Sequence, residues 1–303
     1  MKKKILPCSA FFYVAVALIV TFVFGCKREE TSAKDEKSND HLVVTATFYP
    51  MYIMLLNITE NIPDIELKLL APAETGCLHD YQLSTADMKT IISSDVIVAN
   101  GAGMEDFLEK VLESQKNCPI IEAAQGYPLL EDNPHVWVSL KGAMYEVDHI
   151  ATALSELDPE HQALYQSNAK TYIQKLQNLY DKMNNLLTSF SDIPIVTFHE
   201  AFPYFAQDFG LHIVENVETD HGHEPSPKEL SELIQELTQL KNDGKKPVLF
   251  VEKDQTTDSA DIISSEADIP LYYLNSTVTG ELDQDAYIRA MEYNLEEILK
   301  AFR

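Results

Sequence analysis

Three of the chain's nine histidines stand where ligand chemistry is most readily assembled. His135 lies in Asn133-Pro134-His135-Val136-Trp137-Val138, on a Pro-bounded turn just ahead of a short apolar run. His79, in Cys77-Leu78-His79-Asp80-Tyr81, and His199, in Val196-Thr197-Phe198-His199-Glu200-Ala201-Phe202, also sit at the edges of apolar runs, far apart in sequence. Three imidazoles carried on three loops to one point make a nitrogen-rich site for a borderline-soft divalent cation, with zinc as the default. Each histidine taken singly reads better as an ordinary half-buried residue, so convergence is the whole content of the expectation. A zinc hydrolase would use a similar donor set, but His199-Glu200-Ala201-Phe202-Pro203 has proline where a His-Glu-x-x-His helix needs its second histidine. No paired general base accompanies the other two histidines, and the chain reads as a non-enzyme.

Positioning such a trio requires a scaffold. Compact apolar runs at 42–48, 65–70, 95–99 and 119–122 alternate with helical patterns at 51–58, 84–93 and 105–114, as in a parallel sheet covered on both faces. The stretch 139–190 is helical instead, broken at Asp158-Pro159, where proline suits the first turn of a new helix. Within it Leu164, Ala169, Tyr172, Leu176, Leu179 and Met183 recur at helical spacing. A helix of ~30 residues runs about 45 Å, enough to cross the molecule as a spine. Strand patterns at 193–198, 212–216, 247–251 and 271–274 then alternate with helices at 201–209, 227–241, 258–267 and 285–302. The expected fold class is α/β: two parallel-sheet α/β lobes joined by one long spine helix, with the metal cleft between them. The expected divisions are an N-terminal lobe at 42–158, a linking helix at 159–191 and a C-terminal lobe at 192–303. His199 and Glu252 fall at strand ends, where open α/β sheets build their sites. Trp137 is expected as a wall of the cleft.

The opening residues have a basic start, Met1-Lys2-Lys3-Lys4, and an apolar run from Ile5 to Phe24, which is an export signal over 1–25. That run is also about long enough to span a bilayer uncleaved; on either reading the rest lies outside the cytoplasm. Val23-Phe24-Gly25-Cys26 resembles a bacterial lipobox, which implies lipid attachment at Cys26 and a chain anchored to the extracytoplasmic face of the cell membrane. Residues 26–41, rich in charge, Ser and Thr, read as a disordered tether. The net charge of −25 becomes more negative once three signal lysines leave, which excludes nucleic acid as a partner. Cys77 and Cys118 form either one disulfide or two thiols. Cys77, two residues before His79, also offers a thiolate, although the sequence favours the other readings. His221-Gly222-His223 is at best a weak accessory metal site, and a solvated loop is favoured there.

Four passages give the chain a family likeness: His79-Asp80-Tyr81 with Leu83 and Asp87; Ser94 to Gly101 with Glu105; Asn133-Pro134-His135-Val136-Trp137; and Phe198-His199-Glu200-Ala201-Phe202 with Tyr204. Glu224-Pro225-Ser226 and Phe250-Val251-Glu252 extend it. Together they resemble the zinc- and manganese-binding solute-binding lipoproteins of bacterial ABC importers. The resemblance implies His79, His135 and His199 as ligands to Zn(II), the bound substrate, with a membrane permease and its ATPase as partners and a monomeric chain. Imidazole at the third position suits zinc, where a carboxylate would suit manganese. The family usually has Asp at Asn133, and often an Asp ligand after the last strand, where this chain has Leu274-Asn275-Ser276-Thr277. That leaves the fourth position to water or to Glu281. A manganese-specific binding protein and a lipid-anchored adhesin are the alternatives.

Overall fold

The computed structural model describes residues 41–79, 81–108, 111, 118–217, 225–253 and 258–303. The export signal, Cys26, most of the tether, His221 and His223 lie outside them. Residues His41–Arg303 form one compact unit.

Short β-branched runs become strands because their side chains pack on both faces of a buried pleat. In the first half these are β1 (Leu42–Ala46), β2 (Ile65–Leu69), β3 (Val96–Ala99) and β4 (Ile120–Glu122). They pair in parallel in the order β2-β1-β3-β4. Helices α1 (Tyr49–Ile58) and α2 (Thr85–Ser93) connect them. Pro50 occupies the first turn of α1, and α2 opens on a reciprocal capping box between Ser84 and Asp87. Of the helix expected at 105–114, the described residues include a 3₁₀ turn, Asp106–Leu108, and a helical Val111.

The second half repeats the arrangement. Strands β5 (Pro194–Thr197), β6 (His212–Asn216), β7 (Val248–Glu252) and β8 (Leu271–Leu274) form a parallel sheet in the order β6-β5-β7-β8. Between the sheets in sequence come α3 (Leu140–Leu157) and α4 (Gln162–Leu187); α5 (Pro203–Phe209), α6 (Pro227–Asn242), α7 (Asp258–Ala267) and α8 (Ala286–Ala301) follow.

The break between α3 and α4 differs from the sequence expectation. Pro159 sits in the connecting turn and α4 starts at Gln162, because the Asp158 carboxylate lies 2.7 Å from His161 Nδ1 and accepts from Tyr165 Oη at 2.8 Å. Tyr165 lies fully in the core on the buried face of α4, and Leu164 is on the solvent side, 43% exposed. At 26 residues, α4 is about 39 Å long. Its apolar face belongs to a hydrophobic core running from Val44 through Trp137, Tyr172 and Leu176 to Ile298, so one core serves both sheets.

That core encloses a carboxyl. Glu146 of α3 is fully buried, and among the described residues neither carboxyl oxygen has a hydrogen-bond partner. Burial, with Glu105 adding a like charge, holds Glu146 well above the ordinary carboxylate value of 4.5. The folded chain therefore binds this proton more tightly than the unfolded chain. The associated stabilisation is complete below pH 4.5 and is lost as pH climbs through the raised folded value. Glu146→Met should raise unfolding free energy by about 1–3 kcal/mol at about pH 8, with a smaller gain at about pH 5. Urea titrations at the two pH values measure it.

Candidate metal centre

Each sheet reverses its strand order between its two central strands, and open α/β sheets place their sites at the carboxyl side of such a reversal. His199 follows β5 by two residues and Glu252 ends β7, the two strands that flank the reversal in the second sheet. From the first half, the loop after β2 carries Cys77 and His79, and the loop after β4 carries His135.

These loops meet. Cys77, His79, His135 and His199 each direct one ligand atom to a common point, all four atoms lying within 4.8 Å of one another. His79 Nε2 is 3.4 Å from His135 Nε2, and Cys77 Sγ is 3.3 Å from the same nitrogen. The imidazole centroids of His135 and His199 are 4.9 Å apart. His135 is wholly buried, the His199 side chain is 15% exposed, and His79 faces solvent.

The rings are aimed by partners behind them. Asn133 Nδ2 donates to Glu200 O at 2.7 Å, so its Oδ1 is the acceptor; it takes His135 N and faces His135 Nδ1, both at 2.9 Å. Nδ1 is then the protonated nitrogen, and the His135 Nε2 lone pair points into the cluster. His199 is fixed in the same sense, its Nδ1 held 2.6 Å from Glu252 Oε2. The other Glu252 oxygen accepts from Ser276 Oγ, in a carboxylate only 3% exposed. A cavity of about 260 Å³ opens beside Glu252 between residues 74–75 and 275–279.

The turn bearing His135 is clamped from two sides. Asn100 Nδ2 donates to Pro134 O at 3.0 Å, and Tyr204 Oη donates to Asn133 O at 2.7 Å. Asn100 is in turn set by Glu105, whose carboxyl accepts from Asn100 N, Gly101 N and Thr47 Oγ1. Burial pushes Glu105 up to about 7 against the lowering effect of those three bonds. Gly101 has φ +76°, and a Cβ there would lie 3.0 Å from Glu122 Cβ, so the turn needs glycine on both counts. Trp137 is buried in the core, edge-on to Phe48, with Nε1 donating to Ser276 O at 3.0 Å. It ties the two halves together and does not line an open cleft.

Glu281, the carboxylate nominated for the fourth position, is not among the clustered donors. Its side chain is 85% exposed and pairs with Arg289 at 3.2 Å, because the turn on which it sits faces α8. Asn275 is engaged locally, its Oδ1 accepting Thr277 N at 2.7 Å. Cys77 and Cys118 are not joined to each other: Cys77 Sγ lies in the cluster, whereas Cys118 Sγ lies 3.6 Å from Ser94 O. The sequence contained one signal for Cys77, its spacing of two from His79, which in an extended loop puts both side chains on one side.

Residues 44–301 match the family described as zinc-uptake complex component A, periplasmic. The chain is 28% identical over 316 residues to the high-affinity zinc uptake system protein ZnuA of Bacillus subtilis (strain 168), with 96% of each chain covered. It is 24% identical over 300 residues to the manganese-binding lipoprotein MntA of Halalkalibacterium halodurans, covering 95% of this chain and 96% of that one. Among solved structures, nickel-bound FpvC of Pseudomonas aeruginosa superposes with a TM-score of 0.77 at 32% identity, covering 86% of this chain and 97% of that one. Two parallel-sheet lobes with a nitrogen-rich donor cluster at their strand ends are the construction of a solute-binding protein that takes a divalent metal as its substrate. This chain belongs to the zinc-uptake complex component A family. It is a binding component of a metal importer and not an enzyme. Among the described residues, no helix is long and apolar enough to cross a membrane.

Two outcomes follow for the His135 turn. Asn133→Ala removes the acceptor that fixes the His135 tautomer and should lower metal affinity about 10–100-fold, read by competition with a chromophoric chelator. Gly142→Ala would set a Cβ 2.1 Å from Val136 O. Overpacking of that kind should cost about 1–3 kcal/mol in chemical denaturation.

Proposed function

We propose that this protein captures Zn(II) with His79, His135 and His199 and delivers it to a membrane permease driven by a cytoplasmic ATPase. The observation that carries the reading is the pair of Nδ1 contacts, to Asn133 and to Glu252, which leave two imidazole lone pairs facing the same point as His79 Nε2. Imidazole donors without a clustered carboxylate suit zinc better than manganese. Manganese is the second reading, favoured by the manganese-binding name of one full-length relative. We also assign Cys26 as the lipid attachment site and the extracytoplasmic face of the cell membrane as the location, in keeping with lipoprotein relatives.

Release to the permease requires the cluster to come apart. Wide separation of the halves is opposed by bonds that cross between them: Trp137 Nε1 to Ser276 O, Tyr49 Oη to Glu281 O at 2.8 Å, and Tyr287 Oη to Trp137 O at 2.8 Å. The shared core opposes it further. Movement of the exposed His79 loop is the smaller change, and it leaves His135 and His199 in place.

His135→Ala should weaken zinc binding by about 1,000-fold or more while leaving the unfolding transition cooperative. Isothermal titration calorimetry with zinc and with manganese, together with elemental analysis of the purified soluble domain, tests both points. Unchanged zinc affinity in the variant would overturn the ligand assignment, and manganese in excess of zinc would overturn the choice of metal.

A further inference from the structure

We infer that the Cys77 thiolate is the fourth ligand, so that the substrate is held in a closed, tetrahedral site of three imidazole nitrogens and one sulfur. The inference rests on the three-histidine reading above and extends it to the chemistry that selects the ion.

The geometry of the donors carries it. Zinc–nitrogen bonds of about 2.0–2.1 Å and a zinc–sulfur bond of about 2.3 Å give a tetrahedron with nitrogen–nitrogen edges of about 3.4 Å and nitrogen–sulfur edges of about 3.5 Å. The His79–His135 nitrogen pair is 3.4 Å apart, and the Cys77 sulfur is 3.3 Å from the His135 nitrogen. Both are edge lengths of one coordination polyhedron, and all four donors lie within 4.8 Å of one another. The competing carboxylate for the position, Glu281, is paired with Arg289.

Charge points the same way. Three neutral imidazoles leave both positive charges of the ion uncompensated, at a site where His135 is wholly buried. A thiolate cancels one of them in direct contact, its proton passing to solvent as the metal binds. Glu252, behind His199, cancels the other through the imidazole it holds. The centre is then close to neutral.

The consequence is selectivity. A thiolate in a four-coordinate site favours soft and borderline ions and disfavours manganese, which prefers oxygen donors and six-coordination. Discrimination between the two metals is thereby assigned to Cys77 together with His199.

Cobalt(II) is the probe, because cobalt bound to thiolate shows an intense near-ultraviolet charge-transfer band that cobalt bound only to imidazole and water lacks. The wild-type soluble domain loaded with one equivalent of cobalt(II) should show that band, Cys118→Ser should retain it, and Cys77→Ser should lose it. Cys77→Ser should also bind zinc about 100-fold more weakly and narrow the zinc-over-manganese preference. Cys77→Ala, checked by circular dichroism for a native fold, separates loss of the donor from any effect of serine. Stoichiometric cobalt binding without the band, or a band that survives Cys77→Ser, overturns the sulfur ligand and leaves the three-histidine site standing. Failure of the wild-type domain to bind either cobalt or zinc overturns the three-histidine reading, and this inference with it.

Discussion

The centre depends on which nitrogen of each imidazole carries the proton. In His135 and His199 that choice is made by an oxygen behind the ring, Asn133 Oδ1 in one and Glu252 Oε2 in the other. Holding Nδ1–H outward exposes the Nε2 lone pair inward, and a lone pair is what a cation recognises. The two acceptors differ in a way that matters. Asn133 is a neutral amide oriented by Glu200 O, so it fixes direction only; Glu252 is a buried carboxylate, so it also supplies negative charge. Fold and site are joined at this level, because Glu252 is the last residue of a central strand and Asn133 is fastened to α5 through Tyr204.

The remainder of the molecule acts to keep those acceptors still. Glu105 sets Asn100, Asn100 holds Pro134 O, and Ser139 Oγ ties the start of α3 to Asp208 of α5 at 2.7 Å. On the opposite side, the loop after β8 carries Thr277 at φ +62°, an unfavourable conformation for a β-branched residue. That loop is held by Asn294, which bonds both Asn275 N and Asn275 O, and by Trp137 at Ser276 O. A donor set arranged this way changes little on binding, and pre-ordering of that kind reduces the conformational cost of taking up the ion.

Alternation of β-branched runs with helical periods was enough to read two parallel-sheet lobes, because both periodicities arise from burial of one face at a time. The three histidines stood out for lying at the edges of those runs. Features that depend on single side-chain bonds were not legible. Pro159 suits a helix start, but Asp158 binds His161 and Tyr165 and α4 begins only at Gln162. Leu164 lies five residues before Ala169, whereas Tyr165 continues the repeat through Ala169, Tyr172, Leu176, Leu179 and Met183 at steps of three and four, so the spacing itself selects Tyr165 as the inward residue. Trp137 read as a cleft wall because nothing in the chain announces that its indole nitrogen finds a carbonyl 139 residues later. Glu281 was near the right place in sequence and on the wrong side of a turn. Cys77 was visible but outweighed, since a cysteine in an exported chain is more often judged by its partner cysteine than by a nearby histidine.

Because one hydrophobic core serves both sheets, the order in which the chain becomes available constrains when it can mature. The first sheet is covered by α1, α2 and α3, whereas α8 packs against β8 and α4, and Tyr287 of α8 caps Trp137 O. A polypeptide delivered from its amino end thus presents α4 and Trp137 without the α8 face that packs on them until nearly the last twenty residues arrive. Assembly is postponed to the close of delivery, and fragments cut between the lobes would carry an apolar face with nothing to lie against.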